Sequence, residues 1–247
     1  MTDYLDTSQG RRIAYHQQKG KGVGVVFLGG FKSDMTGTKA VRLHDWARGR
    51  GRGFLRFDYS GHGDSSGKFE DGCIGDWFAD AAAVLTSLTK GPQVLVGSSM
   101  GGWIALLLAR AMPQRVAGLV TIAAAPDFSE QGYWAGFTEA QRDTVMRDGR
   151  IEIPSEYGDE PYVITRRLIE NGREHLVMNQ PLALPFPTRF LQGTADEDVP
   201  VKWSLDLLDH VQGNDIRLTL VKGADHRFSS DECLRLIESA VAEILPG

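Results

Sequence analysis

The feature that most constrains the fold is a repeated alternation, in which a short apolar run ends at Gly or Asp and an amphipathic helical pattern follows. The predicted strands share continuous rather than alternating hydrophobicity and cover residues 23–28, 53–58, 93–96, 116–123, 188–191 and 216–221. Helices are predicted near residues 36–49, 73–89, 100–111, 201–211 and 230–244. Continuous apolar strands separated by helices are typical of a parallel sheet covered on both faces. We therefore predict an α/β fold with about eight mostly parallel strands and helices on both faces.

Two segments depart from this alternation. Residues 4–6 and 11–16 are expected to form an antiparallel hairpin ahead of the parallel strands. Residues of about 126–187 carry aromatic side chains and scattered charges but no clear buried strand. We expect a single domain over residues 1–247, with that second segment inserted as a lid or cap.

The predicted lid contains large apolar side chains that could face a ligand: Trp134, Phe137, Met146, Tyr157 and Tyr162. Lids that close over active sites commonly present such side chains to the substrate. Trp134, Phe137 and Tyr162 are therefore candidate substrate-binding residues. The alternative is that these side chains only pack the insertion onto the body of the protein.

Composition excludes several classes of partner. The chain has 27 basic and 32 acidic residues of interleaved sign, a net charge of −5, which leaves no positive face for nucleic acid or anionic lipid. The most apolar stretch, residues 103–109, is about half of what a bilayer span requires and is expected to be a buried helix. We predict neither nucleic-acid binding nor stable membrane insertion.

The first six residues are acidic where a secretory signal would be basic, and no apolar run follows them. The chain has 2 cysteines, Cys73 and Cys233, too few for a disulfide framework or a four-thiolate metal site. Both observations favour a cytoplasmic location.

Residues 97–101, GSSMG, match the pattern G-x-S-x-G. An apolar predicted strand runs directly into the motif, and a helix of small and apolar residues runs directly out of it. A strand, a sharp turn and a helix form the structural context of a nucleophile elbow. The spacing of the glycines selects Ser99 rather than Ser98 as the candidate nucleophile. The alternative is a glycine turn that carries an idle serine.

A serine hydroxyl needs a base within hydrogen-bond reach, and the base needs a carboxylate that fixes its tautomer. In one type of α/β sheet the three residues occur in the chain order Ser, Asp, His. If this chain forms such a sheet, the acid should follow the strand after the insertion, and the histidine should follow the last strand. Asp196 follows the predicted strand 188–191, and His226 follows the predicted strand 216–221. Asp196, the first acid of its loop, is favoured over Glu197 and Asp198, although Asp198 remains an alternative.

The other candidates near the site are a histidine and two backbone donors. His62 lies in a turn after a predicted strand and could approach the site, although a structural role is favoured. Attack on a carbonyl places negative charge on oxygen, which backbone N–H groups can stabilise. Met100, at the start of the helix, and Phe31, in the loop after strand 23–28, are the candidate donors. For Phe31 the alternative is a tight turn without a ligand.

Metal and nucleotide sites are not predicted. Asp225 and His226, or the acids and histidine of residues 58–64, lack the paired histidine spacing of zinc sites. The glycine-rich residues 61–67 match neither the dinucleotide fingerprint nor a phosphate-binding Walker loop.

Together these segments resemble the α/β-hydrolase superfamily over nearly the whole chain. A narrower resemblance, to the mitochondrial acyl-glucuronide esterases and acyl-protein thioesterases of that superfamily, is carried by residues 37–40, 56–61, 96–103 and 225–227. The resemblance implies a nucleophile at Ser99, an acid at Asp196, a base at His226, and hydrolysis through an acyl-enzyme without a cofactor. Residues 29–30 are Gly-Gly where many members carry His-Gly.

We therefore predict a serine carboxylesterase or thioesterase acting on a small-molecule or acyl-chain ester or thioester. The same three residues could instead cleave a carbon–carbon bond or transfer the acyl group to another acceptor. From a different class, a hydrolase body could serve as a ligand receptor without catalysis.

Overall fold

The computed structural model describes residues 2–154 and 161–245. Its strands, in chain order, are β1 (Asp3–Asp6), β2 (Arg12–Gln18), β3 (Val25–Leu28), β4 (Phe54–Phe57), β5 (Gln93–Ser98), β6 (Val116–Ile122), β7 (Arg150–Ile153), β8 (Tyr162–Thr165), β9 (Leu182–Ala183), β10 (Thr188–Gly193), β11 (Val211–Gln212) and β12 (Ile216–Val221). Its α-helices are α1 (Thr38–Gly49), α2 (Ile74–Leu88), α3 (Met100–Ala111), α4 (Glu139–Asp148), α5 (Arg166–Glu174), α6 (Val201–His210) and α7 (Asp231–Ile244).

The main sheet has 8 strands in the order β1-β2-β4-β3-β5-β6-β10-β12. β2 pairs antiparallel with both β1 and β4, and every other pairing in this sheet is parallel. The prediction of about eight mostly parallel strands, preceded by an antiparallel hairpin, is confirmed. The carboxyl ends of β5, β10 and β12 open onto the same edge of the sheet, because these strands run in the same direction.

Both faces of the central strands are buried against helices. In β3, Val25 and Phe27 belong to the cluster formed with α1 and α7, whereas Val26 and Leu28 belong to the cluster formed with α2 and α3. Successive side chains of a strand point to opposite faces, so a strand buried on both faces needs apolar residues at every position. The helices on both faces were predicted from this continuous hydrophobicity.

β12 differs from the prediction of a fully buried strand. It pairs with β10 alone and forms one edge of the main sheet. Arg217, Thr219 and Leu220 are all exposed and no residue of this strand is fully buried, so β12 is only partly covered. Its sequence, IRLTLV, alternates polar and apolar residues, which is the pattern of a half-covered edge strand rather than of a central one.

The segment between β6 and β10 contains more regular structure than the sequence indicated. A π-helix (Ser129–Trp134) is followed by α4, an antiparallel hairpin of β7 and β8, and α5. β9 pairs with β11 in a second two-stranded sheet. These strands are short and half-exposed, so they lack the continuous apolar run by which the central strands were recognised. Tyr157 lies outside the described residues.

The most apolar stretch of the chain lies within α3, which is buried from Met100 to Ala109. Among the described residues, no helix combines the length and the hydropathy that a membrane crossing requires.

Candidate active site

Ser99 occupies a strained turn between β5 and α3. Its backbone has φ 54° and ψ −119°, a conformation that residues with a Cβ rarely adopt. The Ser99 N–H donates a hydrogen bond of 2.9 Å to the carbonyl oxygen of Ile122 on the neighbouring strand β6. Such strain persists only where the surroundings over-determine it, and it clusters at functional sites.

The glycines on either side of Ser99 allow β5 and α3 to approach closely. A Cβ on Gly97 would lie 2.3 Å from the carbonyl oxygen of Gly101. A Cβ on Gly101 would lie 2.2 Å from the carbonyl oxygen of Leu28. Both contacts are with backbone atoms, which cannot move aside as a flexible side chain can. Glycine is therefore required at positions 97 and 101 by the close packing of β3, β5 and α3 as well as by the turn.

Gly101→Ala is expected to destabilise the protein by at least about 3 kcal/mol, because the added methyl group must displace β3 or α3. Gly49→Ala is the matched control, since Gly49 ends α1 and its added Cβ would have no atom within 4 Å. We expect the control to unfold at the same or a slightly higher urea concentration. Equal urea midpoints for the two variants would contradict this interpretation of the turn.

His226 lies in the loop after β12 and reaches Ser99 from the other side of the site. Its Nε2 is 3.1 Å from Ser99 Oγ, and its Nδ1 is 2.9 Å from Asp196 Oδ2. The imidazole is therefore held between a hydroxyl and a carboxylate, although 127 residues separate His226 from Ser99 in the chain.

Asp196 is buried and its carboxylate is held by several donors. Oδ1 accepts hydrogen bonds from the backbone N–H groups of Asp198 at 3.0 Å and Val199 at 2.8 Å. Oδ2 accepts one from Gln192 Nε2 at 2.8 Å, in addition to the contact with His226. Of the two acids left open by the sequence, it is Asp196 that contacts the imidazole, while Asp198 is exposed.

Within the described chain, Asp196, Asp198 and His226 bring ligand-type atoms within 4.8 Å of one another. The carboxylate of Asp196 already accepts hydrogen bonds from three N–H donors, which belong to Gln192, Asp198 and Val199. A carboxylate so occupied, facing an imidazole that also contacts a serine hydroxyl, fits a proton relay better than a cation site.

Backbone from two other elements completes the surroundings of Ser99. Met100 is the first residue of α3, and the N–H groups of a first helical turn have no partner within the helix. A Cβ on Gly30 would lie 3.5 Å from the Cβ of Ser99, so the loop after β3 passes directly beside the serine. Phe31 follows in that loop, and both predicted donor residues border the same cavity as Ser99.

This cavity has a volume of about 540 Å³ and contains both Ser99 and His226 in its lining. Aromatic side chains supply much of the rest: Phe31, Phe128, Tyr133, Tyr162 and Trp203. Burial lowers the pKa of Lys39, which also borders the cavity, to about 8. The cavity therefore combines an aromatic lining with the amine of Lys39, whose Nζ donates a hydrogen bond to the carbonyl oxygen of Arg227.

Of the substrate-binding candidates, Tyr162 lines the cavity, whereas Trp134 and Phe137 do not. Trp134 instead contacts the guanidinium groups of Arg142 and Arg173, at 5.4 and 4.6 Å from the ring centre. Phe137 is buried and stacks on Tyr133 at 6.3 Å. Sequence reasoning missed Phe128, Tyr133 and Trp203, since a hydrophobic pattern identifies a buried side chain but not the space that it borders.

His62 lies apart from the hydrogen-bonded group of Ser99, His226 and Asp196. Its ring is buried, and its two nitrogens contact backbone groups of Lys32 and Ser60. The structural role favoured from the sequence agrees with these contacts.

Several known proteins that this chain is similar to are hydrolases. A family model described as the alpha/beta hydrolase family matches residues 25–238. The chain is 35% identical over 243 residues to the mitochondrial palmitoyl-protein thioesterase ABHD10 of Mus musculus, covering 98% of this chain and 82% of that protein. A solved structure of a putative hydrolase from Agrobacterium vitis S4 matches with a TM-score of 0.95 and 39% identity, over 100% of this chain and 99% of the other. Alpha/beta hydrolase domain-containing protein 10 from mouse matches with a TM-score of 0.92 and 32% identity, over 99% and 98%.

The expected cytoplasmic location is wrong. The relative from Mus musculus is named as a mitochondrial protein. The expectation rested on the charge of six residues and on cysteine content, and neither property of a folded chain determines its compartment, because targeting segments are read separately and can be removed.

Proposed function

The chain belongs to the alpha/beta hydrolase family, and we propose that it hydrolyses esters or thioesters through an acyl-enzyme formed on Ser99. Both resemblances noted in the sequence, to the superfamily and to its acyl-protein thioesterases, are confirmed by the relatives. The protein is an enzyme of the hydrolase class. The observation that carries the proposed mechanism is the continuous hydrogen-bonded path from Ser99 Oγ through His226 to the carboxylate of Asp196.

In the first half of the proposed reaction, Ser99 Oγ attacks the acyl carbon while His226 Nε2 takes the hydroxyl proton. Asp196 accepts the Nδ1–H of His226, so the lone pair of Nε2 faces the serine. The negative charge that develops on the carbonyl oxygen is stabilised by the N–H groups of Met100 and Phe31. His226 then passes its proton to the leaving oxygen or sulfur, and the acyl group remains on Ser99.

In the second half, water attacks the acyl carbon and His226 removes its proton. The tetrahedral intermediate collapses, the acyl–oxygen bond to Ser99 breaks, and His226 returns the proton to Ser99 Oγ. The products are the free acid and the regenerated serine. No redox step or external proton source is needed, because each proton that His226 accepts is donated again.

The aromatic lining of the cavity favours an apolar acyl group as the part of the substrate that binds beside Ser99. Its aromatic residues come from β3 and the loop that follows it, from the segment between β6 and β10, and from α6. Relatives named palmitoyl-protein thioesterases make an acyl thioester a reasonable natural substrate. We also propose that the chain is a single domain in which the segment of about residues 126–187 forms a cap. Three residues of that segment, Phe128, Tyr133 and Tyr162, border the cavity.

The proposal is tested by labelling the folded protein with a fluorophosphonate probe and by measuring turnover of p-nitrophenyl esters and acyl-CoA thioesters of increasing chain length. We expect the probe to modify the peptide that contains Ser99, and kcat/KM to rise with chain length until the cavity is filled. A folded protein that resists the probe and hydrolyses none of these compounds would favour the receptor alternative.

A further inference from the structure

Two loops that are distant in sequence hold each other beside the active site. The loop after β4 supplies Asp58, whose Oδ1 accepts a hydrogen bond of 2.6 Å from the backbone N–H of Met35. The same loop supplies His62, whose Nε2 accepts one of 3.2 Å from the backbone N–H of Lys32. Both donors belong to the loop after β3, which carries Phe31, the proposed second oxyanion donor.

The contacts of His62 fix its tautomer. Nδ1 lies 3.2 Å from the carbonyl oxygen of Ser60, which can only accept, so Nδ1 carries the proton. The backbone N–H of Lys32 can only donate, so Nε2 must be unprotonated. Burial lowers the pKa of His62 to about 4, and the ring is therefore neutral near pH 7, as both contacts require.

Aromatic packing holds the His62 ring in place. Its centre lies 5.7 Å from that of Tyr59, 5.1 Å from that of Phe69 and 5.2 Å from that of Trp77. The Phe31 ring packs edge-on against Phe69 at 4.8 Å and Trp77 at 5.8 Å. The histidine and the proposed donor residue are thus part of one cluster.

The backbone that His62 contacts is strained. Lys32 has a φ of 55°, in the left-handed region that favours glycine. A residue held there needs its neighbouring peptide groups fixed by other contacts. The hydrogen bond to His62 fixes the peptide plane between Phe31 and Lys32, one peptide away from the Phe31 N–H.

We propose that His62 is a positioning residue for the oxyanion site: by accepting the Lys32 N–H, it holds the loop so that the Phe31 N–H meets the developing negative charge on the substrate. This inference rests on the proposed function. Preorganised donors act mainly in the transition state, so loosening one lowers kcat more than it weakens substrate binding.

The test compares His62→Phe, which keeps an aromatic ring but cannot accept the hydrogen bond, with His62→Gln, whose amide oxygen can accept it. His44→Phe is the matched control, because His44 also stacks on an aromatic ring, that of Phe54, on the side of α1. With a p-nitrophenyl ester, we expect His62→Phe to lower kcat and kcat/KM by roughly 10- to 100-fold with KM within about threefold. His62→Gln should recover part of the loss, and His44→Phe should stay within about twofold.

A second readout separates positioning from a general structural role. A trifluoromethyl ketone forms an anionic adduct with the serine and should bind His62→Phe more weakly by the same factor as kcat/KM. The corresponding unreactive alcohol should bind equally to both proteins. Unchanged kcat/KM in folded His62→Phe, or equal weakening of both inhibitors, would overturn the proposal.

If His62→Phe does not fold, the two inhibitors are compared on His62→Gln, and ¹⁵N NMR of the wild-type imidazole tests the hydrogen bond on which the proposal depends. We expect the Nδ1–H tautomer for His62 near pH 7, and the Nε2–H tautomer would overturn the proposal. Wild-type protein that shows no hydrolysis dependent on Ser99 would contradict the proposed function, whereas normal hydrolysis by His62→Phe would contradict this inference alone.

Discussion

Replacing Ser99 by alanine is expected to reduce kcat/KM for a p-nitrophenyl ester by at least about 10³-fold without unfolding the protein. The hydroxyl oxygen is the atom that would form the covalent bond to the acyl group, and it lies 3.1 Å from His226 Nε2, the proposed base. Since alanine keeps the Cβ and the turn, the thermal unfolding midpoint should change by only a few degrees.

Ser98→Ala is the control for this prediction. Ser98 is the neighbouring residue, is buried at 6% exposure and borders the same cavity, but it precedes the turn. We expect this variant to keep kcat/KM within a few-fold of wild type. Retention of esterase activity by Ser99→Ala, together with loss in Ser98→Ala, would show that the nucleophile has been assigned to the wrong serine.

The second large effect is expected for Asp196→Asn, which should lower kcat by about 10³- to 10⁴-fold. The amide oxygen of asparagine would take the place of Oδ1, where the N–H groups of Asp198 and Val199 donate. The amide nitrogen would then face His226 Nδ1, which would have to become an acceptor. The imidazole would carry its proton on Nε2 and could not accept the proton of Ser99.

Asp198→Asn provides the matched comparison, because it makes the same chemical change two residues away at an exposed carboxylate. Its kcat is expected to stay within a few-fold of wild type. Measuring kcat for both variants with one ester decides between the two acids that the sequence left open. The opposite ranking would assign the acid to Asp198.

The central strands and their mostly parallel direction could be predicted because burial on both faces leaves a direct trace in the sequence. β3 and β5 are continuous apolar runs, and each was recognised by that property. β12 and the hairpin of β7 and β8 lie where one face of the strand is open to solvent, so they carry fewer apolar residues. How deeply such a strand is buried depends on the elements that pack beside it, which the local sequence does not describe.

The three residues proposed to react were predictable for a topological reason. In a parallel sheet, the carboxyl ends of successive strands meet at one edge, so residues that follow β5, β10 and β12 lie close together although they are far apart in the chain. Together with the G-x-S-x-G motif and the chain order, the strand ends therefore indicated Ser99 and His226, and they placed the acid in the loop that holds Asp196 and Asp198.

The cavity lining could not be predicted in the same way. Tyr133 borders the cavity while its neighbour Trp134 packs against arginine side chains outside it. Both lie in a π-helix, whose wider turn shifts the direction of each side chain relative to an α-helix. The α-helical period of about 3.6 residues therefore does not predict which of these side chains borders the cavity.

The contact between His62 and Lys32 was also invisible in the sequence. The acceptor is a side chain and the donor is a backbone N–H that lies 30 residues earlier, and every residue except proline has such a group. Only the packing of the two loops shows which backbone N–H donates to His62.

The acyl-enzyme itself is the central claim, and a slowly hydrolysed p-nitrophenyl carbamate tests it most directly. The compound should release about one equivalent of p-nitrophenolate per chain and abolish esterase activity, and mass spectrometry should find the carbamoyl group on the peptide containing Ser99. Ser99→Ala should release none. Esterase activity that survives the carbamate, or a carbamoyl group on a different residue, would contradict the mechanism.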